Sequence, residues 1–343
     1  MRKALLIWIF LLFGFFANGW AQQTELPNPG LTPDSPFYLL EEIAEEIGTF
    51  FTFGDIKKAE RYATLATERI AELKAMVEKG KSEAAEKALV RYQKQLESSL
   101  SRIKKAEEKG KDVSKVNEIV SEATGQHFIV LDQLLEICPE KARQAIVKAK
   151  EVSMNGQRTA LKALAKQDPE KAIKINLKMV ENRLEKAKEK AEKKETEEVE
   201  KAIEEFEDQE EFEKEILKTA QNSGKDVSSA LQLSKEATTS HLKTLSEVYK
   251  KVSPEAKPAI EKAMETSVKS YKNNVETFKE KEASDKSLQE MVIPDEVPQQ
   301  VKEKIQKEVE VTKEGSKKQE IPLPIIKPEK KESGEKLEKR RGE

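Results

Sequence analysis

The chain has 343 residues, of which 37% are charged and only 6% aromatic, and its acids and bases balance to a net charge of −2. Such a composition suits long solvated helices with narrow apolar seams better than a compact enzyme with a large core. There is no basic stripe with interleaved aromatics, which excludes a nucleic-acid-binding face.

Residues 1–21 predict an export signal. Arg2-Lys3 form a basic start, Ala4 to Phe16 an apolar run, and Gly19-Trp20-Ala21 a small-residue site for cleavage before Gln22. If retained, this segment is the one membrane anchor the chain offers, because no later stretch is apolar enough to span a bilayer. Either way the bulk of the chain is expected outside the cytoplasm, in a periplasm, in the medium or on the cell surface. Cys138 is the sole cysteine, so no disulfide can form within the chain. It is expected as a small apolar residue near a core at a helix end.

Residues 22–33 form a linker rich in proline and glycine. Residues 34–53 predict a helix that opens at Asp34-Ser35-Pro36, with Ser35 accepting from an orphan backbone N–H and Pro36 in the first turn. It carries Phe37, Leu39, Leu40, Ile43 and Ile47 and ends in Phe50-Phe51-Thr52-Phe53. Large exposed apolar patches are uncommon, so this cluster is expected to pack on the first repeat as a lid or staple, with binding of a lipid or a partner as the alternative.

The next 228 residues repeat without a gap at an offset of 114. Gly110-Lys111-Asp112-Val113-Ser114 returns as Gly224-Lys225-Asp226-Val227-Ser228, and Glu122-Ala123-Thr124 as Glu236-Ala237-Thr238. Arg69 matches Arg183, and the chain's two histidines, His127 and His241, match each other. Two tandem units follow, 54–167 and 168–281. Each predicts four helices: 55–79, 82–108, 112–137 and 139–166, then 169–193, 195–222, 226–251 and 254–281. Gly80 and Gly110 end helices in the left-handed conformation. Ser82, Asp112, Asp168 and Asp226 are capping candidates, and Pro139, Pro169 and Pro254 fit first turns.

In the third helix Val113, Val116, Val120, Ala123, Val130 and Leu134 recur mostly at three- and four-residue steps. Such a seam must be buried, and short connections favour antiparallel bundles. The acidic helix 195–222 has a thinner seam (Val199, Ile203, Phe206, Phe212) and reads as a partly exposed, coiled-coil-like arm. No stretch alternates as a strand does, so the fold class is all-α. From 282 to 343 prolines interrupt a Lys/Glu-rich sequence that cannot offset its ordering entropy, and this tail is expected to be disordered. A transient helix over 301–311 and a short docking strip over 321–326 are its only local features.

Candidates for chemistry are few. Glu122 and His127 are five residues apart and point about 140° away from one another on a helix, so they cannot chelate together. His127 falls in the apolar stripe and reads as a buried histidine with a partner on a neighbouring helix. The sharper reading gives each repeat one weak metal site, with His127 or His241 joined by carboxylates from adjacent helices. No catalytic triad with a supporting motif, phosphate loop or zinc-protease motif is present. The many carboxylates sit at helical spacing with lysines and read as solvated faces. Catalysis is therefore not expected, and no cofactor is implied.

The opening Pro29-Gly30-Leu31-Thr32-Pro33-Asp34-Ser35-Pro36-Phe37-Tyr38, followed by Phe51-Thr52-Phe53, resembles that of a family of secreted or surface-attached helical proteins of bacteria and archaea. The Glu-Ala-Thr-x-x-His segments, Pro139 to Ile146 and Glu181-Asn182-Arg183-Leu184 are similar to the same family's repeat. That family is known only as a domain of unknown function, so the resemblance implies fold and address rather than activity. Relatives with extra histidines on the fourth helix carry them where this chain has Gln157 and Tyr271, which weakens a shared metal role. The expected function is therefore non-catalytic interaction or scaffolding in the cell envelope or at the surface, with an unidentified protein or envelope component as partner. The alternatives are a metal or ligand sensor using the paired histidines, and a holdase in which the acidic helix projects freely.

Overall fold

The computed structural model describes residues 26–278, 291 and 293–306. Its helices are α1 (Tyr38–Phe50), α2 (Asp55–Glu78), α3 (Ser82–Glu108), α4 (Ser114–Ile137), α5 (Glu140–Ala165), α6 (Pro169–Glu192), α7 (Thr196–Asn222), α8 (Ser228–Lys251) and α9 (Lys257–Phe278). No strand occurs among the described residues.

Local chemistry sets the boundaries. Asp168 accepts from the Lys171 backbone N–H at 3.0 Å with Pro169 in the first turn, so α6 starts where the sequence predicts. Asp112 and Asp226 instead accept from the N–H of Ser114 and Ser228, at 2.9 and 2.7 Å, and α4 and α8 begin two residues later than expected. Pro254 lies in a turn, and Pro258 takes the first-turn place in α9. Likewise α1 begins at Tyr38, after a turn in which Ser35 donates its N–H to the Thr32 carbonyl at 2.8 Å.

Gly80, Gly110 and Gly224 follow helix ends at φ +70°, +68° and +74°. The fourth equivalent position is Lys194, at φ 61°, where the register of 114 aligns it with Gly80. A side chain there is strained by its own Cβ.

From α2 onward the helices pair as antiparallel hairpins in chain order, α2 with α3 through α8 with α9. Successive hairpins stack: α2 meets α4 and α3 meets α5, then α6 meets α8 and α7 meets α9. Across the middle, α4 meets α6 and α5 meets α6 and α7. These helices belong to one compact unit that runs to Pro298.

The apolar core is divided. One cluster draws on α2 to α5 and ends at Ala160; the other starts at Leu161 and draws on α6 to α9. An ionic layer crosses the stack between them. Asp132 of α4 meets Arg183 of α6 at 3.0 Å, Lys150 of α5 at 2.6 Å and Lys186 at 2.5 Å. Glu205 of α7 closes the set on Arg183 and Lys150, at 2.7 and 2.6 Å. The Phe128 ring lies 4.7 Å from the Arg183 guanidinium carbon and 4.6 Å from the Lys150 ammonium. Buried charge is tolerated here because every member has opposite partners.

One expectation is corrected. The acidic helix α7 is no projecting arm: Val199, Ile203, Phe206 and Phe212 are all buried, and α7 packs on α5, α6 and α9. Its seam looked thin because two of its inward positions are Glu210 and Glu213. Cys138 caps the C-terminus of α4, free and half-buried against the first cluster, as expected. The export segment 1–21, the strip 321–326 and most of the tail lie outside the described residues. Within the tail, residues 299–306 are helical, overlapping the helix expected over 301–311. No described helix is long and apolar enough to cross a membrane.

Candidate interaction surface and buried histidine cores

Helix α1 is amphipathic, and it is mounted with its acidic side inward. Three arginines hold it. Arg69 of α2, almost fully buried, meets Glu45 through both terminal nitrogens, at 2.6 and 3.1 Å. Arg91 of α3 meets the same carboxylate at 2.9 Å and Glu42 at 3.3 Å. Arg61 donates to the Thr49 hydroxyl at 2.9 Å and to the Glu45 carbonyl at 3.3 Å. Gly48 lies directly on the Arg61 guanidinium, where a Cβ would collide with it.

Tyr38 completes the clamp. Its hydroxyl donates to Glu72 at 2.7 Å and accepts from Arg91, whose guanidinium carbon stands 4.9 Å from the ring. Glu72 is also 2.8 Å from Arg69, yet burial raises its pKa against that pull. Ahead of the helix, Asp34 pairs with Lys81 at 2.5 Å and Lys79 at 3.7 Å, which ties the opening motif to the turn between α2 and α3.

The register of 114 relates this clamp to the ionic layer. Arg69 corresponds to Arg183, while Glu72 and Arg91 correspond to Lys186 and Glu205, with both charges exchanged. Glu45 takes the part that Asp132 plays in the second copy, and the Tyr38 ring that of Phe128.

With Glu42 and Glu45 held by the arginines, α1 turns its apolar side to solvent. Phe37, Leu39, Leu40, Ile43, Ile47, Phe50, Phe51 and Phe53 are 46–77% exposed and Leu31 39%. The expectation that this cluster staples onto the bundle is overturned: the ion pairs do the fastening, and the aromatics face outward. Among the described residues only three other large apolar side chains are this exposed, Val90, Ile137 and Val147, and they are scattered. A phenylalanine buries about 150–250 Å² when covered, so the patch amounts to roughly 1,000 Å². The largest apolar patch on an ordinary monomer is about 300–600 Å².

Both histidines are core residues, 0% and 2% exposed. His127 has partners on both ring nitrogens, the Tyr92 hydroxyl at 3.3 Å and the Thr67 hydroxyl at 2.9 Å. Tyr92 in turn meets Ser153 at 2.6 Å. With no charge nearby, burial pushes the imidazole pKa down to about 3, so His127 is neutral. His241 meets Glu210 at 3.2 Å through Nδ1, and Ser267 donates to the same Glu210 oxygen at 2.5 Å.

Around His241 the second copy is the more polar. Glu210 stands where the first copy has Leu96, Glu213 where it has Ser99, Ser234 for Val120 and Asn274 for Ala160. Burial lifts Glu213 to about 7. His241 Nε2 and Glu210 Oε2 are buried without a hydrogen-bond partner among the described residues. A surface groove of about 470 Å³ between α7 and α9, lined by Glu207, Glu211 and Lys262, reaches Glu210 and Asn274. Among the described residues, no group of three or more His, Cys, Asp or Glu is arranged to hold a metal ion. Glu122 is exposed and lies 3.8 Å from Lys178, away from His127 as its spacing requires.

Sequence reasoning found the two histidines but not the arginine clamp or the second copy's buried acids. The available signals were the exchanges at matched positions: Leu96 against Glu210, and Glu72 and Arg91 against Lys186 and Glu205. No curated protein and no solved structure matches the chain. Residues 30–141, which include α1 to α4, match the family model DUF5667, a domain of unknown function, and this part of the chain is similar to that family.

Proposed function

We propose that the protein is an exported, non-catalytic interaction protein of the cell envelope or surface, a scaffold or spacer whose work is association. The observation that carries this reading is the outward apolar face of α1, a patch too large to be incidental on a solvated helical protein. Its supports are the export segment, the lack of a catalytic set, and a face built for contact with another helical protein surface. The metal-sensor reading has less behind it, because both nitrogens of His127 are engaged and His241 meets only Glu210 among carboxylates within bonding distance. The holdase reading loses its motive now that α7 is packed.

The test is fractionation of the native host followed by size analysis of the chain. It is expected outside the cytoplasm, in an assembly larger than one chain, and Phe50→Ser/Phe53→Ser is expected to release it as a single chain. A cytoplasmic location, or a wild-type chain that is always single, ends the reading.

A further inference from the structure

We infer that the occupant of the α1 face is the α1 face of a second copy, giving a closed two-fold dimer. This rests on the interaction reading above and names its partner.

The argument starts from the register. Shifting α5 by 114 residues superposes Leu164 on Phe50, so the C-terminal half of α5 falls in register with α1. The two helices then do the same work on one side. Helix α1 meets α2 and α3 through Arg61, Arg69 and Arg91; α5 meets α7 through Arg158–Asp208 at 2.6 Å and through Lys162–Glu215.

Their other sides differ. The outward residues Leu39, Ile43, Ile47 and Phe50 fall at the positions of Ser153, Gln157, Leu161 and Leu164, all of which are buried. In α5 helices on both sides cover those positions: Ser153 bonds Tyr92 of α3 and Gln157 donates to the Ser121 carbonyl of α4 at 3.4 Å, while Leu161 and Leu164 join the second core cluster. Helix α1 is thus half of a hairpin whose partner helix is missing among the described residues. The bare face is one that this fold covers with helices wherever it recurs.

End repeats of a helical stack need a polar outer face to remain single. Here the α1 end is apolar, whereas among the described side chains of α6 to α9 no large apolar one is exposed. Head-to-tail association, which would run on into a filament, therefore finds no second apolar surface among the described residues. Face-to-self contact needs no second surface, and it closes at two copies. The area fits as well, since roughly 1,000 Å² of apolar surface per chain exceeds the ~800 Å² per partner of a standard stable interface.

The experiment uses the exported chain from its host, with its N-terminus read by mass spectrometry, and measures molar mass by light scattering across a dilution series. Twice the mass of one chain is expected. Ile47→Glu should weaken the dimer at least tenfold while leaving the helical signal and melting of the single chain unchanged, because Ile47 is largely exposed in it. Ile43→Cys in a Cys138→Ser background should join to its own counterpart on mild oxidation, as a residue near a two-fold axis must; Val90→Cys in that background should not.

A single-chain mass at every concentration overturns the dimer, as does an assembly of more than two copies or one that Ile47→Glu leaves intact. A single chain that binds phosphatidylcholine vesicles through the same face, or one that retains residues 1–21 packed on it, also overturns it. A complex with a different protein that Ile47→Glu abolishes ends the dimer while leaving the interaction reading standing.

Discussion

Replacing Glu213 by glutamine should stabilise the protein at neutral and higher pH and do nothing in mild acid. Glu213 is sealed in the second core, and burial raises its pKa from 4.5 to about 7 against the pull of Ser234, His241 and Asn274; Glu210 adds to the rise. Below pH 4.5 the carboxyl is protonated in both the folded and the unfolded chain and makes no pH-dependent difference. Between pH 4.5 and 7 the unfolded chain has released a proton that the folded chain keeps. Stability then falls with rising pH at about 1.4 kcal/mol per unit, reaching a loss of about 3 kcal/mol by pH 7 and levelling off above it. Glutamine is nearly isosteric, cannot ionise, and can still bond Ser234 and Asn274. Urea unfolding followed by circular dichroism should give equal pH dependence below pH 4.5 and a variant about 3 kcal/mol more stable at pH 8, relative to their difference in acid. The comparison with wild type cancels Glu72, which burial also raises. A difference that stays flat from pH 4 to 8 would refute the reasoning.

The first copy should show the opposite trend. His127 is held neutral with its pKa down at about 3, so its contribution is present above the unfolded value near 6.5 and is lost as pH falls, at about 1.4 kcal/mol per unit. His127→Gln should remove that acid sensitivity in urea titrations between pH 6.5 and 4. Lys194→Gly, which restores the residue found at Gly80, should stabilise the chain by roughly 1 kcal/mol by relieving a left-handed side chain; no rise in melting temperature would contradict it. Arg69→Met leaves Glu45 and Glu72 without their main cation and should cost about 3–5 kcal/mol, with α1 becoming the first site of proteolysis. Arg183→Met should cost less, since Asp132 keeps Lys150 and Lys186.

Most of the fold was legible because its signals were local and doubled. Glycine and aspartate–proline punctuation placed the ends of α2 to α8 within two residues, and the offset of 114 checked each helix against its copy. The seams of α4 and α8 are plain valine and leucine stripes. The seam of α7 was not, because Glu210 and Glu213 occupy two of its inward turns, and an isolated acidic helix gives no sign that a histidine and two serines wait opposite. The ionic layer was hidden for a similar reason. Asp132, Lys150, Arg183, Lys186 and Glu205 are ordinary surface types, and only the meeting of four helices makes them an interior.

Helix α1 is where pattern reading inverted the answer. An amphipathic stripe says that one face is buried and one is not, and apolar burial is the usual choice because it is favourable by about 25 cal/mol per Å². Here the choice was settled by the partner surface. Arg69 and Arg91 are fixed in the groove of α2 and α3, and leaving them without anions would cost more than leaving Ile43 and Ile47 in water. The alignment at 114 contained the missing fact, since it sets the outward residues Leu39, Ile43, Ile47 and Phe50 on positions that α5 buries in the stack. Read that way, the exposed phenylalanines mark an interface the single chain leaves open. The clamp also explains why that interface can be precise: Tyr38, Glu45, Gly48 and Thr49 fix the rotation of α1 on the bundle, so its apolar side is presented at one angle and can match an identical copy.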